Sequence, residues 1–352
     1  MTSRERITLA LQHKEADRVA IQDGPWATTI RRWHREGLPP GESPTSYFKY
    51  EIAGISADLS LRLPSETLED TDNYTIVRNA NGVLHKNWKH TTSTPELLGF
   101  TVNSRKAWEE YKHRLKYDES RVNWNHAHAA YENARERGFY ITYSGAIGYD
   151  KWGNIIGPEN FLPAMLIEPE WPKDVYMTDA ELHIATAEEM IARGIEFDGA
   201  FLYDDLGYRN GTFFSPETYR EQLFPAHKRL FEFFNSKGMP VILHSCGCVK
   251  DFIPDFIRAG LTCLQPLETK AGMNLIELKK QYGDKLAFMG GIDVRAMSAE
   301  DPAVIEEEIR TKVGFAKQGG GYIYHSDHSV PDDVSFEQYK RVIELVHKYG
   351  KY

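Results

Sequence analysis

From about residue 139 onward the chain alternates short apolar runs with helical patterns, and this alternation limits its fold more than any other feature. Phe139-Tyr-Ile-Thr-Tyr143 and Gly199-Ala-Phe-Leu-Tyr203 are runs of strand length; Pro240 to His244, Leu261 to Gln265, Lys285 to Met289 and Gly321 to Tyr324 continue the series. Helix signals separate them. Ser215-Pro-Glu sets an N-cap ahead of a first-turn proline, Lys237-Gly238 stops that helix, Asp301-Pro302 opens a longer one, and Ser335-Phe-Glu begins the last. The strands show little polar–apolar alternation, as strands covered on both faces do. Repeated units of this kind make a parallel sheet wrapped in helices. The predicted fold class is α/β, a (β/α)8 TIM barrel in one domain over 1–352, with an irregular, elaborated N-terminal part at 1–135 and regular βα repeats at 136–352. In the N-terminal part Arg18 to Gln22 and Asp58 to Leu63 read as strands. Thr75 to Lys89 reads as a hairpin around Asn81-Gly82, a type I′ turn signal. A doubly wound open sheet shares the alternation, but no Gly-x-Gly-x-x-Gly follows a strand, which weakens a dinucleotide role.

Composition narrows the function classes. The 352 residues are 41% hydrophobic and 12% aromatic, enough for a sizeable core. A formal net charge of −9 argues against non-specific nucleic-acid binding and against attachment to an anionic membrane. No stretch approaches the ~18 apolar residues of a membrane span. Met1-Thr-Ser-Arg-Glu-Arg6 leads straight into an amphipathic pattern rather than a signal peptide. Three cysteines, Cys246, Cys248 and Cys263, are too few and too clustered for a disulfide framework, so a reduced, cytoplasmic protein is expected.

Chemistry-bearing residues gather where the strands end. Asp204-Asp205 follows one strand, His244 and Cys246 the next, then Gln265 and Glu268, Gly290-Gly291 with Asp293, and finally His325, Asp327 and His328. In a barrel these carboxyl ends converge on one face, where active sites lie. His244 and Cys246 sit two apart, so on extended backbone they face a common point. One nitrogen and one sulfur ligand suit zinc better than magnesium or calcium. A third ligand is expected from the loop after the last strand, at Asp327, His325 or His328. Asp204, Asp205, Glu268, Tyr143, His325 and His328 are candidates for catalysis or substrate binding, and Glu268 and Asp205 are also candidates for ligation or for orienting His244. Cys248 is expected to turn away from the site and Cys263 to be a core residue. Trp26, Trp33 and Trp152 read as an aromatic wall or as packing anchors, Arg31, Arg32 and Arg35 as a mouth lining or a solvated helix face, and His126 and His128 as surface residues.

These residues resemble the uroporphyrinogen decarboxylase superfamily over nearly the whole chain. The likeness is carried by Arg4-Glu-Arg-Ile-Thr-Leu-Ala-Leu11 with Asp17-Arg-Val19, by His244-Ser-Cys-Gly247, by Phe288-Met-Gly-Gly-Ile-Asp293, and by Gly320-Gly-Tyr-Ile-Tyr324 with Val330-Pro331. The resemblance implies a (β/α)8 barrel and one of two chemistries. The decarboxylases proper grip a polycarboxylate tetrapyrrole with N-terminal arginines, where this chain has Asp23-Gly-Pro-Trp26. The other branch comprises zinc-dependent methyltransferases working with corrinoid proteins, whose His-x-Cys ligands match His244 and Cys246. Their third ligand is commonly a cysteine after the last strand; counting back from Pro331, Asp327 stands in its place. The implied function is methyl transfer from a small methylated substrate to Co(I) of a cobalamin supplied by a partner corrinoid protein; a harder zinc site and the aromatic content favour an aryl methyl ether, with methylamines, methyl thiols and methanol as the other donors. A cofactor-free decarboxylase and a non-catalytic zinc-bearing subunit that docks a corrinoid protein are the alternatives. A homodimer is compatible with the sequence.

Overall fold

The computed structural model describes residues 1–91 and 94–352. Eight parallel strands curl into one sheet: β1 (Ala20–Ile21), β2 (Ile52–Ile55), β3 (Tyr140–Ala146), β4 (Gly199–Tyr203), β5 (Val241–His244), β6 (Cys263–Gln265), β7 (Ala287–Met289) and β8 (Tyr322–Tyr324). From β2 to β8 each strand pairs with its successor, and β8 pairs with β1. Side chains span the remaining seam between β1 and β2. Gln22 Oε1 accepts from the backbone N–H groups of Glu51 and Ile52, at 3.2 and 3.0 Å, and the Glu51 carboxylate accepts from the Ile21 N–H at 2.5 Å. The architecture is the expected (β/α)8 barrel.

The opening motif of the chain serves this seam. Helix α1 (Ser3–Leu11) starts with a capping box between Thr2 and Glu5. It directs Arg6 onto Glu51, which also receives Arg18 at 3.0 Å. Asp17 binds the far side of the Arg6 guanidinium, which holds the Asp17 carboxyl down at about 2. The other face of α1 presents Ile7, Ala10 and Leu11 to a barrel interior that includes Phe201, Ile242 and Cys263. Each large apolar side chain buried there contributes about 1.5–3 kcal/mol. Cys263 is thus a core residue, as expected.

The N-terminal elaboration is a four-stranded antiparallel sheet of Glu66–Asp70, Tyr74–Arg78, Val83–Trp88 and Glu96–Phe100. It contains the predicted hairpin. Asn79 C=O accepts from the Gly82 N–H, and Gly82 has φ +75°, where an added Cβ would strike Thr101 and Leu63. The strand expected at Asp58 to Leu63 is not formed; the second barrel strand lies earlier, at Ile52–Ile55. The Asp58 carboxylate bonds both the N–H and the hydroxyl of Ser60, and Arg62 takes φ +52°, so local turn chemistry overrides the apolar alternation there. Among the described residues no helix is long and apolar enough to cross a membrane.

Candidate metal centre

Strand parity decides which side chains reach the barrel mouth. On β5, Ile242 faces the interior, so His244 emerges two residues later at the rim and Cys246 follows on the loop. On β4, Phe201 and Tyr203 face inward, which carries Asp205 to the same rim. Asp205 Oδ1 accepts from the Cys246 N–H at 2.8 Å and lies 3.3 Å from His244 Nε2. Cys246 Sγ is also 3.3 Å from that nitrogen. Among the described residues these three form the group whose potential ligand atoms all lie within 4.8 Å of one another. A tetrahedral zinc with nitrogen, oxygen and sulfur ligands spaces its donor atoms about 3.4–3.6 Å apart. The observed separations fit it. His244 Nδ1 donates to Gln265 Oε1 at 2.5 Å, which leaves Nε2 as the metal-facing nitrogen.

Two backbone features hold the cysteine in place. Gly247 has φ +77°, and an added Cβ would lie 2.3 Å from the Gly207 carbonyl carbon, so only glycine lets this loop pack on the one after β4. The Gly247 N–H donates to Glu268 Oε2 at 2.7 Å. Glu268 therefore supports the loop that carries Cys246 and is not one of the three donors.

Burial opposes charge throughout the group, and neighbours reverse it in two cases. Burial pulls His244 down, but its bonds to Asp205 and Cys246 outweigh this and raise it well above its ordinary value. Burial pushes Asp205 up, and His244 more than compensates, holding the carboxyl below its usual range. For Cys246 burial prevails and the thiol is raised. A metal must displace protons from His244 and Cys246, so zinc affinity is expected to fall as pH falls. Chelator competition in acidic and alkaline buffers checks the sign, and an affinity independent of pH would remove both residues from the ligand set.

The structure corrects three of the predicted positions. Asp327 is not in the group: its two oxygens accept from the backbone N–H groups of Thr269 and Val294, at 2.9 and 3.0 Å, so it ties loops together below the rim. Asp204, one residue from Asp205, points the opposite way into the layer between sheet and helices. There it accepts from the Asp150 N–H and bonds His227 Nε2, at 2.8 and 2.9 Å, and burial raises it well above the carboxylate range. Tyr143 likewise faces the helices, with its hydroxyl 3.0 Å from His183 Nδ1 and its ring against Phe234. His325 and His328 instead line a cavity of about 250 Å³ beside His244, together with Gln22, Asp23, Phe201, Tyr203 and Gln265. Trp26 meets His328 edge-on, whereas Trp33 and Trp152 are fully buried anchors. Arg31 and Arg35 are exposed, and Arg32 pairs with Glu36 on the same helix face. Cys248 donates its N–H to Tyr208 C=O and is not among the three donors.

One carboxyl at this rim escaped the sequence reading. Asp150 stands in the first turn of the helix Gly148–Ile156, just after β3. Burial, with repulsion from Asp205 and Asp204, pushes it up to about 7. Its signal was its place after a strand end, obscured because β3 runs three residues past Tyr143.

The sequence model described as Uroporphyrinogen decarboxylase (URO-D) matches residues 153–349. The chain belongs to the URO-D family. Among curated members of the URO-D family, the uroporphyrinogen decarboxylases of Mannheimia succiniciproducens and Actinobacillus succinogenes are 32% and 33% identical to it over 79 residues. Those matches span 22% of this chain and 22% of each relative. Among solved structures, a methyltransferase from Methanosarcina mazei aligns over 99% of both chains with a TM-score of 0.70 at 14% identity, which shows a shared fold.

Proposed function

We propose that this chain is a zinc-dependent methyltransferase that frees a methyl group from a small methylated substrate and passes it to Co(I) of a cobalamin carried by a separate corrinoid protein. The observation that carries this reading is the trio Asp205, His244 and Cys246, with donor atoms within 4.8 Å at a barrel mouth. Three protein ligands leave one position of a tetrahedron for the heteroatom that bears the methyl group. A zinc held by Asp205, His244 and Cys246 would supply Lewis acidity toward that heteroatom. The chain's own side chains do the rest. Phe201 and Tyr203, stacked at 4.9 Å, give the cavity an apolar wall, and Gln22, Gln265, His325 and His328 give it polar groups. Asp150 is the carboxyl of this rim suited to hold a proton near neutral pH. An aryl methyl ether is the favoured donor. The aromatic wall suits a ring, and a set with a single thiolate leaves zinc harder than one with two, which favours oxygen.

The name of the curated relatives supplies the second reading, a decarboxylase. A polycarboxylate tetrapyrrole needs cations and room. The described walls of the 250 Å³ cavity carry no lysine or arginine and include Asp23. The test is zinc analysis of the purified protein, followed by an assay of methyl transfer from methoxylated aromatics to reduced corrinoid protein. One zinc per chain and substrate-dependent methylation of the corrinoid are expected. A zinc-free protein would reinstate the decarboxylase, and zinc without transfer would leave a subunit that only docks its partner.

A further inference from the structure

We infer that the cavity beside His244 takes a neutral aromatic ether with an oxygen acceptor at the end of its ring away from the metal, and that the Gln22 amide N–H binds that acceptor. The inference rests on the methyl-transfer reading for the place of the methyl-bearing oxygen. Ala20 faces the barrel interior, so Gln22, two residues on, faces it too. Gln22 belongs to the cavity wall. Its amide has one orientation: Oε1 accepts from the backbone N–H groups of Glu51 and Ile52, at 3.2 and 3.0 Å, and a nitrogen in that place could accept neither. Nε2 therefore lies at the other side of the amide, beside Asp23, another residue of the wall. Its one contact there is the Asp23 carbonyl oxygen at 3.5 Å, beyond the ordinary range of an N–H···O bond. A donor of the cavity wall is thus left without a partner in that range among the described residues.

Topology sets where this donor stands. Strands β1 and β5 are four apart in either direction around the barrel, so Gln22 faces His244 across it. The cavity that both line, about 250 Å³, has room for a single substituted ring, since a cavity of ~150 Å³ admits benzene. With the methoxyl oxygen held at the metal beside His244, the far end of the ring meets Gln22. Charge then selects the kind of acceptor. An ammonium group has no lone pair to offer an N–H. A carboxylate could accept, but the walls supply no lysine or arginine to offset it. It would also stand near the buried carboxylate of Asp23, which is held by the Gly24 N–H and the hydroxyls of Tyr324 and Tyr339, at 2.9, 3.2 and 2.7 Å. A carbonyl, a hydroxyl or a second methoxyl remains.

Calorimetric binding of ring probes to the purified protein, with the infrared carbonyl band of bound 4-methoxyacetophenone, tests the assignment. That ketone and 4-isopropylanisole are similar in shape, and only the ketone carries an acceptor at the far end. Gln22→Met should lower the ketone-to-hydrocarbon affinity ratio by about 3–10-fold, the effect of one neutral hydrogen bond. Loss of packing or of the seam bonds would weaken both probes alike and leave the ratio as it was. The bound carbonyl band should lie at lower frequency in the unmodified protein than in Gln22→Met or in an alkane. 4-Methoxybenzoate and 4-methoxybenzylammonium should each bind at least ~10-fold more weakly than the ketone, because each buries an unpaired charge. A ratio unchanged by Gln22→Met, an unshifted band, tighter binding of either ion, or no binding of the ketone would overturn the proposal. Where Gln22→Met fails to fold, the ranking of the ketone against the two ions and the band position against the alkane still decide. Failure of the methyl-transfer reading looks different: no corrinoid would be methylated, while the probe ratio and the band shift would hold.

Discussion

Asp205→Asn, His244→Ala and Cys246→Ser are each expected to weaken zinc binding by more than the ~10–100-fold typical of an orienting partner, and to abolish methyl transfer, while the barrel stays folded. The reason for the intact fold is position. All three side chains lie at the rim, beyond the last paired residues of β4 and at the end of β5, and His244 and Asp205 remain partly exposed. Asp327→Asn is the informative contrast. Its oxygens are engaged by two backbone N–H groups, so this change should leave zinc stoichiometry intact and lower stability by about 1–3 kcal/mol. Metal analysis alongside denaturant unfolding separates the two effects. Zinc retained in Asp205→Asn but lost in Asp327→Asn would return the third ligand to the loop after β8.

The second large effect is expected at the seam. Glu51→Ala should destabilise the protein by about 3–5 kcal/mol, the usual result of stranding a buried charge. Glu51 is 1% exposed and is the shared counter-charge of Arg6 and Arg18, and it also satisfies the N–H of Ile21. Glu51→Gln retains an acceptor for Ile21 but removes the charge that Arg6 and Arg18 share, so it should fall between the unmodified protein and Glu51→Ala. Urea unfolding measures the series. A loss below about 1 kcal/mol in Glu51→Ala would mean that the β1–β2 edge holds without its side-chain bridge.

The barrel was legible because its signal is periodic. Apolar runs of strand length recur with capped helices between them, and each of the six strands read from residue 139 onward is present. The N-terminal part was less legible, since the choice between Ile52–Ile55 and Asp58 to Leu63 turned on the Asp58 turn and not on hydrophobicity. At the site, His244 and Cys246 could be read from their spacing. Asp205 competed with Asp204 and Asp327, and composition does not separate three aspartates that all follow strands. The difference lies in what each carboxylate meets: a helix N-terminus for Asp204, two loop N–H groups for Asp327, and an imidazole for Asp205. Gln265 stood out as a strand terminator, but its bearing on His244 depends on register between β5 and β6, which the one-dimensional pattern does not contain.

Asp204 and Asp205 are neighbours in the chain, yet the wall of the barrel passes between them. One acid anchors a helix in a dry layer, and the other faces the mouth. A one-position slip in aligning β4 with a relative would exchange these duties while every residue type still matched. Comparison among URO-D relatives is therefore safest when it starts from inward-facing Phe201 and Tyr203 and counts outward by twos. A natural insertion or deletion of one residue in Gly199–Tyr203 would carry both faults at once, an unanchored helix and a displaced donor. Chains that keep the His-x-Cys pair but differ in length at this strand are the ones in which a different third donor should be sought.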